Sequence, residues 1–331
     1  VAASARDDVA SIDRTPLVAP IAKAVDQLDG LLGQVASGTD ALARASQLLP
    51  SMLGADGPRT HMLLVQNNAE WRSLGGIVGS MTPLQADKGA ITLGDQIQAR
   101  AIDSYPDSVG DLGDYAAIYN AKPGRFLQNI TQVPDFRLTA QLAREFAARN
   151  DVKIDGVISM DPVALSYLLD ATGPIELPTG DKLTSANAAE FLLNGVYLRY
   201  PEADQQDVVF AAAASGVFAA LTRGDVNPGK LVEALARAGT EHRLYLWSAK
   251  EADEAVLAGT TLAGAPPEGD SDTARFGVYF NDGTGSKMDY YISPEVTLGW
   301  SGCGSGSTPR TLSLKITLTS TAPADAATAL P

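Results

Sequence analysis

Residues 61–81 constrain the fold most, because their character changes from apolar to polar and back to apolar within a short span. Residues 62–65 form a continuous apolar run, which is typical of a strand covered on both faces of a sheet. A second apolar strand over 77–84 follows Gly75 and Gly76. Polar side chains at the end of a central strand are where open α/β sheets usually bind ligands. The polar cluster between the two strands is therefore either a ligand site or a polar turn, and it consists of Asn67, Asn68, Glu70, Arg72 and Ser73.

Patterns downstream predict an α/β fold with a mixed central sheet flanked by helices. A strand over 156–160 is followed by Asp161 as an N-cap and Pro162 at the first helical position. Gly173 is suited to end that helix, so a strand-to-helix unit is expected, which favours a parallel or mixed sheet. A turn at 87–89 predicts a hairpin between the strand over 77–84 and a third strand over 90–97.

Helical patterns occupy much of the rest of the chain before residue 265. Asp135 begins a helix, a second runs over 183–197 and an alanine-rich one over 204–221. Asn227 caps a further helix, and alternating apolar residues over 241–247 predict a strand. We assign residues 59–265 to one α/β domain.

Residues 1–58 form an N-terminal helical region in this interpretation. Apolar residues at helical spacing predict one helix over 20–36, and Thr39 or Asp40 caps a second. The apolar stripe is narrow, so a partner helix is expected. The pair is either a stalk between a membrane and the body of the protein or a pair packed on the sheet.

Residues 266–331 are predicted to form a β-hairpin-rich extension. Strands are expected over 276–280, 288–292, 296–300 and 312–318, with a turn at 281–283. The last strand lies near the end of the sequence, so we expect a larger β module that is truncated here. Cys303 would then pair with a cysteine beyond residue 331.

Composition limits the chemistry. The net charge of -14 and the pI near 4.5 argue against nucleic acid as a partner, because phosphate neutralisation needs a basic surface. One cysteine and two histidines are too few for a zinc site, so any bound metal would be oxygen-ligated. The run at 283–287 has the wrong spacing for a phosphate-binding loop and lies in a predicted hairpin, so it is discounted. We expect neither a nucleotide cofactor nor haem.

The chain contains no apolar run of about 18 residues, so nothing in it is expected to span a membrane. It begins with Val1 and not with methionine, which suggests a fragment or a processed form. We expect an N-terminal anchor to have been removed.

Two further charged segments have open interpretations. Residues 103–114 include four acidic side chains without the alternate spacing of a calcium loop, so a solvated loop is favoured over a metal site. Arg199 lies between Tyr197 and Tyr200, and it is either a ligand contact or a surface residue with a packed stem.

Four segments of the chain stand out, which are NNAEWRSLGG, NITQVPDF, DGVISMDPVALSYLLDATGPIELP and NDGTGSKMDYY. Over about residues 63–291, they resemble an uncharacterised actinobacterial envelope family, the domain of unknown function 4012. That family is distantly similar to the LytR-CpsA-Psr (LCP) phosphotransferases, which join wall glycopolymers to peptidoglycan from pyrophosphate-linked lipid carriers. The resemblance implies an LCP-like α/β sheet with an apolar groove for a polyprenyl tail. It also implies arginines on the pyrophosphate and aspartates on magnesium.

The resemblance to the transferases is uneven at the site. Arg72 and Ser73 match the first two members of an Arg-Ser-Asp motif, with Leu74 in third place. Asn68 stands where the transferases have a strand-end aspartate. Three further positions match: Arg100 lies near a strand-end arginine, Asn129 lies near an asparagine that opens a helix, and Tyr197 and Arg199 form a tyrosine-x-arginine element. One region departs, because Gln205, Gln206 and Asp207 stand in place of an Arg-Gln pair.

The leading interpretation is an extracytoplasmic protein, anchored to the plasma membrane, that binds polyprenyl-(pyro)phosphate-linked glycopolymer and transfers it to the cell-wall polymer. Oxygen-ligated Mg²⁺ or arginines would stabilise charge on the leaving phosphate, with Glu70 or acids of 103–114 replacing the missing aspartate. The alternative is a non-catalytic envelope scaffold or glycan-binding module with a degenerate site. The predicted catalytic residues are Arg72, Arg100, Arg199 and Glu70, and the predicted ligand-binding residues are Asn67, Asn68, Ser73, Asn129 and Tyr197.

Overall fold

A computed structural model describes residues 2–13, 15, 19–224, 226–301 and 311–326. The strands are β1 (Arg59–Arg72), β2 (Gly75–Asp87), β3 (Ala90–Leu93), β4 (Ile97–Gln98), β5 (Gly156–Met160), β6 (Ile175–Glu176), β7 (Lys182–Leu183), β8 (Leu244–Ser248), β9 (Ile292–Ser301) and β10 (Thr311–Ser320). The α-helices are α1 (Ala2–Ala10), α2 (Ala19–Met52), α3 (Ala116–Tyr119), α4 (Lys122–Arg125), α5 (Phe136–Ala148), α6 (Pro162–Thr172), α7 (Ala188–Glu190), α8 (Val196–Arg199), α9 (Ala203–Arg223), α10 (Pro228–Thr240) and α11 (Glu251–Leu257).

The central sheet is mixed, as the sequence predicts. Its strand order is β3-β2-β1-β5-β8, and β4 pairs with β2 beside this path. β1 runs parallel to β5, whereas β2 and β8 are antiparallel to their neighbours. The centre of the sheet is therefore β1, the strand that carries the polar cluster.

Helices cover both faces of this sheet. On one face α5 packs Phe136, Leu142 and Phe146 against Met62 and Leu64 of β1, all of them buried. Its N-cap is Asp135, whose carboxylate accepts a hydrogen bond from the Leu138 amide at 3.2 Å. On the other face α6 and α10 contact β1 and β8. The predicted strand-to-helix unit is confirmed, since Asp161 caps α6, Pro162 begins it and Gly173 follows its end.

The polar cluster does not interrupt β1, as residues 66–72 continue the strand and the chain reverses between Arg72 and Gly75. Between the pairs Asn67 with Ile77 and Trp71 with Gly76, β1 contains three residues that have no counterpart on β2. This large bulge frees Asn68 and Glu70 from the ladder, so their side chains are available to other parts of the molecule.

Two predicted helices at the N-terminus form a single helix. The helix expected over 20–36 and the one expected from Thr39 or Asp40 are both part of α2, which is 34 residues long and ends at Met52. Ser, Gly, Thr and Asp disfavour a helix interior only weakly, so the candidate cap at 39–40 does not break it. The helical pair of this region consists instead of α1 and α2, which contact each other. No described helix is long and apolar enough to cross a membrane.

The predicted strands over 276–280 and 288–292 are wrong. Residues 276–280 have irregular backbone, and Lys287–Tyr291 is a 3-10 helix. The reason is that residues 281–289 hydrogen-bond to the tip of the β1–β2 hairpin instead of to each other. The hairpin predicted from 296–300 and 312–318 is confirmed as β9–β10. Cys303 lies outside the described residues.

Two other elements differ from the sequence prediction in extent. The strand expected over 90–97 is divided into β3 and β4, which both pair with β2. The helix expected over 183–197 begins at Ala188, contains a π-helical turn over Phe191–Gly195 and ends at Arg199. Tyr197 is buried at the C-terminal end of this helical segment.

Candidate functional site

A cavity of about 440 Å³ opens at the tip of the β1–β2 hairpin. Its lining comes from the hairpin tip, the start of α6, the π-helical turn at Leu193, Arg243 before β8, and a C-terminal segment over residues 278–294. We call residues 278–291 the cover segment. The lining residues are Asn68, Trp71, Arg72, Ser73, Gly75, Val163, Leu193, Arg243, Val278, Tyr279, Phe280, Asp289, Tyr290, Ile292 and Pro294.

Arg72 is the most buried charged group in this lining, with 7% of its surface exposed. Its Nη1 donates to the backbone oxygens of Trp71 at 2.8 Å and Asp282 at 3.0 Å, and its Nη2 donates to Asn129 Oδ1 at 3.3 Å. Its Nε is buried and has no hydrogen-bond partner. Burial lowers the pKa of Arg72, and Glu70 and Asp282 act in the opposite direction. The guanidinium is therefore held in one orientation with one donor unused.

Asn68 belongs to a buried polar chain that begins at α6. Asn68 Nδ2 donates to Asp161 Oδ2 at 2.6 Å, and Arg243 Nη1 donates to the same oxygen at 2.8 Å. The other carboxylate oxygen of Asp161 accepts from the Ala164 amide at 2.7 Å. Burial raises the pKa of Asp161 despite these favourable contacts. Asn68 Oδ1 is left buried without a partner.

Arg243 is a site residue that the sequence prediction missed. It precedes β8, and it reaches the cavity while its Nε donates to Glu241 Oε2 at 2.9 Å. Burial acts to lower the pKa of Arg243, and the carboxylates of Asp161 and Glu241 raise it overall. The only signal in the sequence is a charged residue beside an apolar strand, which is too common to identify a site.

A second polar cluster lies on β1 beside the cavity. Lys287 Nζ is 2.9 Å from Glu70 Oε1, and it lies 4.7 Å from the centre of the Tyr197 ring. The Tyr197 hydroxyl is 2.5 Å from Asn67 Nδ2. Burial raises the pKa of Tyr197, and the charge of Glu70 adds to this shift. The structure thus brings together Asn67, Glu70 and Tyr197, and it adds Lys287 from the cover segment.

The cover segment is bonded to the hairpin tip at several points. The Trp71 amide donates to Asp289 Oδ2 at 2.7 Å, and the Asp282 amide donates to the Trp71 carbonyl at 3.0 Å. Asn281 Oδ1 accepts from the Ser73 amide at 3.1 Å, and its Nδ2 donates to Ser73 Oγ at 2.8 Å. The cavity therefore exists only where β1 and the cover segment meet.

The structure places Arg100 and Arg199 outside the cavity lining. Arg100 is ion-paired with Asp207 and, at 2.9 Å, with Asp204, and Arg199 is ion-paired with Asp181. Both arginine side chains are 54% exposed. Leu74, which stands where the transferases have an acid, is buried in the core beside α5. The roles predicted for Arg100 and Arg199 stay predictions.

Carboxylates near the cavity are engaged with protein donors. Glu70 pairs with Lys287, Asp161 with Asn68 and Arg243, and Asp289 with the Trp71 amide. Among the residues that the structure describes, no group of three or more His, Cys, Asp or Glu is arranged to hold a metal ion. These residues do not form a magnesium site by themselves. The expected Mg²⁺ stays a prediction, and it would have to be bound largely by substrate phosphates.

Solved structures with partial similarity come from several bacteria. A protein of Streptococcus agalactiae is 13% identical with a TM-score of 0.38, over 63% of this chain and 75% of that chain. A LytR-Csp2A-Psr enzyme of Actinomyces oris is 14% identical with a TM-score of 0.34, over 66% and 84%. TagV of Bacillus subtilis is 9% identical with a TM-score of 0.32, over 69% and 92%. TM-scores this low carry no activity over to the present chain.

Comparison with curated proteins finds no match. The sequence of residues 56–197 matches the family described as "Protein of unknown function (DUF4012)". This segment contains the whole β1–β2 hairpin, α5, α6 and Tyr197. Residues 56–197 are thus similar to the DUF4012 family over less than half of the chain.

Proposed function

We propose that this protein acts in the cell envelope and binds a polyprenyl-pyrophosphate-linked glycopolymer in the cavity at Arg72. The observation that carries the proposal is the Arg72 guanidinium, which is buried, lines the cavity and keeps Nε unpaired. A buried, oriented guanidinium is suited to a phosphate oxygen because its donors are planar and permanently charged. Arg243 lines the same cavity and supplies a second positive charge.

The apolar part of the cavity fits the lipid end of such a ligand. Val163, Leu193, Ile292 and Pro294 line it beside the two arginines. These side chains would contact the first isoprene units while the phosphates lie at Arg72. In this proposal the protein is extracytoplasmic, a segment outside the present chain anchors it to the plasma membrane, and cell-wall polymer is its further partner.

The test is the binding of polyprenyl pyrophosphate in detergent, measured by calorimetry. Arg72→Ala should weaken binding at least tenfold, equivalent to about 1.4 kcal/mol. Arg72→Lys keeps the charge but loses the planar guanidinium, so this variant should bind with an affinity between those of the parent protein and Arg72→Ala. Arg144→Ala is the control, because Arg144 is an exposed arginine on α5 that does not line the cavity. Unchanged affinity in folded Arg72→Ala would show that the site is elsewhere.

Arg199→Ala and Arg100→Ala test the predicted roles of these arginines in the same assay. Each side chain is more than half exposed and is paired with aspartate. Because neither guanidinium lines the cavity, we expect affinity within twofold of the parent protein for both variants. A tenfold loss of affinity in either variant would support the role in ligand binding that the family resemblance implies for that arginine.

A second candidate is a non-catalytic scaffold or glycan-binding module. It is favoured by the engagement of Glu70, Asp161 and Asp289 with protein donors. The assay is release of lipid-linked phosphate by the purified protein with magnesium and a wall acceptor. Turnover that is lost in Arg72→Ala would establish a transferase, and binding without turnover would establish the scaffold.

A further inference from the structure

The cavity wall is unusually rich in aromatic side chains. Four of its fifteen lining residues are aromatic, whereas aromatic residues make up 6% of the chain, so this wall is a concentrated aromatic surface. Trp71 and Phe280 lie against each other with ring centres 5.4 Å apart and planes tilted by 52°. Tyr290 packs edge-on against Tyr291 at 5.0 Å, and Tyr279 completes the wall.

The tyrosine beside this wall is itself anchored. The Tyr291 hydroxyl donates to Asn194 Oδ1 at 2.9 Å, which ties the end of the cover segment to the π-helical turn. Tyr290 is therefore held by a fixed neighbour. A preformed aromatic face of this kind offers stacking area at little cost in side-chain entropy.

Two residues of the cavity lining each have a buried polar atom without a hydrogen-bond partner, one a donor and one an acceptor. Arg72 Nε is the donor and Asn68 Oδ1 is the acceptor. The orientation of Asn68 is determined by chemistry, because its other amide atom faces the Asp161 carboxylate and must be the NH₂ group. An ionised phosphate accepts hydrogen bonds but has none to donate to Asn68, whereas a hydroxyl both donates and accepts.

The remaining acid of the wall is Asp289. Asp289 uses Oδ2 for the Trp71 amide and lines the cavity beside Tyr290. Its charge opposes an anion at this end, and a carboxylate is a strong acceptor for hydroxyl groups. Phosphate is therefore favoured beside Arg72, and a neutral hydroxyl-bearing group is favoured along the aromatic wall.

We propose that the aromatic wall of Trp71, Tyr279, Phe280 and Tyr290 binds one neutral sugar ring, whose hydroxyls bond to Asn68 and Asp289. The inference rests on the proposed function, since the ring belongs to the same lipid-linked glycopolymer. It adds that the sugar itself is recognised and that the cover segment supplies most of the recognition surface. The volume of about 440 Å³ lies in the range of small-ligand pockets.

The experiment uses ligands that separate the two halves of the site. Saturation-transfer NMR on the unmodified chain is recorded with the methyl glycosides of glucose, galactose, mannose and arabinose, which carry neither phosphate nor lipid. At least one of these glycosides should show saturable transfer. Inorganic pyrophosphate, measured by calorimetry, is the probe for the phosphate half.

Single substitutions distinguish the sugar half of the site from the phosphate half. Tyr279→Ala should weaken glycoside binding at least fivefold and leave pyrophosphate binding unchanged, and its 39% exposure makes unfolding unexpected. Tyr290→Ala should act in the same direction. Phe276→Ala is the matched control, because Phe276 is 46% exposed and does not line the cavity. Arg72→Ala should abolish pyrophosphate binding.

The outcomes are separable. Absence of transfer to all four glycosides, or transfer that survives both tyrosine substitutions, would overturn the sugar site. If the parent protein binds a glycoside but does not bind pyrophosphate, the proposed function is overturned and the sugar site still stands. Binding of both probes with opposite responses to Tyr279→Ala and Arg72→Ala would support both.

Discussion

His61 in β1 is a buried base with one satisfied nitrogen. Its Nε2 is 2.8 Å from the Met52 carbonyl, so this nitrogen carries the proton, and its Nδ1 is buried without a partner. Burial lowers the pKa of His61 from 6.5, and the neighbouring Arg59 adds to this shift. Protonation would place a charge on Nδ1 where the protein offers no acceptor.

We therefore predict that His61 makes stability depend on pH. Its folded-state pKa is below the unfolded value of 6.5, so its contribution is complete above pH 6.5 and is lost as pH falls towards the folded pKa. The slope is at most about 1.4 kcal/mol per pH unit. Urea unfolding between about pH 7.5 and about pH 5.5 should show a weaker dependence in His61→Gln. His242→Asn is the control, as His242 is exposed, and an identical pH slope in His61→Gln would contradict the prediction.

Gly76 shows how a single backbone contact shapes the site. A Cβ at this position would lie 2.2 Å from the Asn67 carbonyl oxygen, because β2 closes tightly against the bulge of β1. Gly79, three residues later on β2, has only Val65 O at 3.8 Å from such a Cβ. The two glycines are thus a matched pair on one strand.

We expect Gly76→Ala to destabilise the fold by more than about 2 kcal/mol, since neither strand can move without disturbing the ladder. Gly79→Ala should change stability by less than about 1 kcal/mol. Chemical unfolding of both variants measures the difference. Equal stabilities would mean that the bulge adapts freely and does not hold Asn68 and Glu70 in place.

At the scale of elements, the cover segment completes the site by contributing one charge as well as its aromatic wall. Lys287 pairs with Glu70, and the two side chains are 20% and 10% exposed. Without Lys287, Glu70 would be a largely buried carboxylate that has lost its ion-pair partner. The segment is therefore coupled energetically to β1, although more than two hundred residues separate them.

Lys287→Met should lower the free energy of unfolding by about 2 kcal/mol, because a buried charge loses its partner. Adding Glu70→Gln should recover part of this loss, which a double-mutant cycle measures. Lys230→Met is the control, since Lys230 is an exposed lysine 3.7 Å from Asp170 and its loss should cost less than about 0.5 kcal/mol. Additive effects of the Lys287 and Glu70 changes would show that the pair is not coupled.

At the scale of the whole molecule, the β9–β10 hairpin presents an exposed apolar face. Cross-strand pairs on this face include Leu298 with Leu314 and Trp300 with Leu312, and all four side chains are at least 38% exposed. Exposed apolar area of this extent is uncommon on protein surfaces. The α/β body does not depend on these side chains for its core.

Leu298→Thr combined with Leu314→Thr should therefore change the stability of the α/β body by less than about 0.5 kcal/mol, while retention on a hydrophobic column falls. Ser313→Thr, on the opposite face of the same hairpin, should change neither. A large loss of stability in the double variant would show that this face is covered by the body of the protein.

Local patterns in the sequence were sufficient for many elements of the fold. The caps at Asp135 and Asp161 are local signals, and the structure has both helices with these N-caps. The period of the apolar residues also indicated the mixed sheet and the last hairpin. The polar cluster was noticed because polar residues beside a buried strand are visible without any tertiary information. It was expected between two strands, whereas the structure places Asn67, Asn68, Glu70 and Arg72 within β1.

Contacts between distant residues were decided only by the tertiary structure. Arg243 and the cover segment reach the cavity from positions more than 150 residues beyond Arg72, and no local pattern encodes such a meeting. Residues 276–291 have the composition of strands, yet their backbone groups bond to the hairpin tip, since free donors and acceptors there compete with a local hairpin. Periodicity and capping act over a few residues, so the sequence alone determined the helices and the sheet. The site depends on which buried polar groups find partners, and that was decided only when the whole chain was folded.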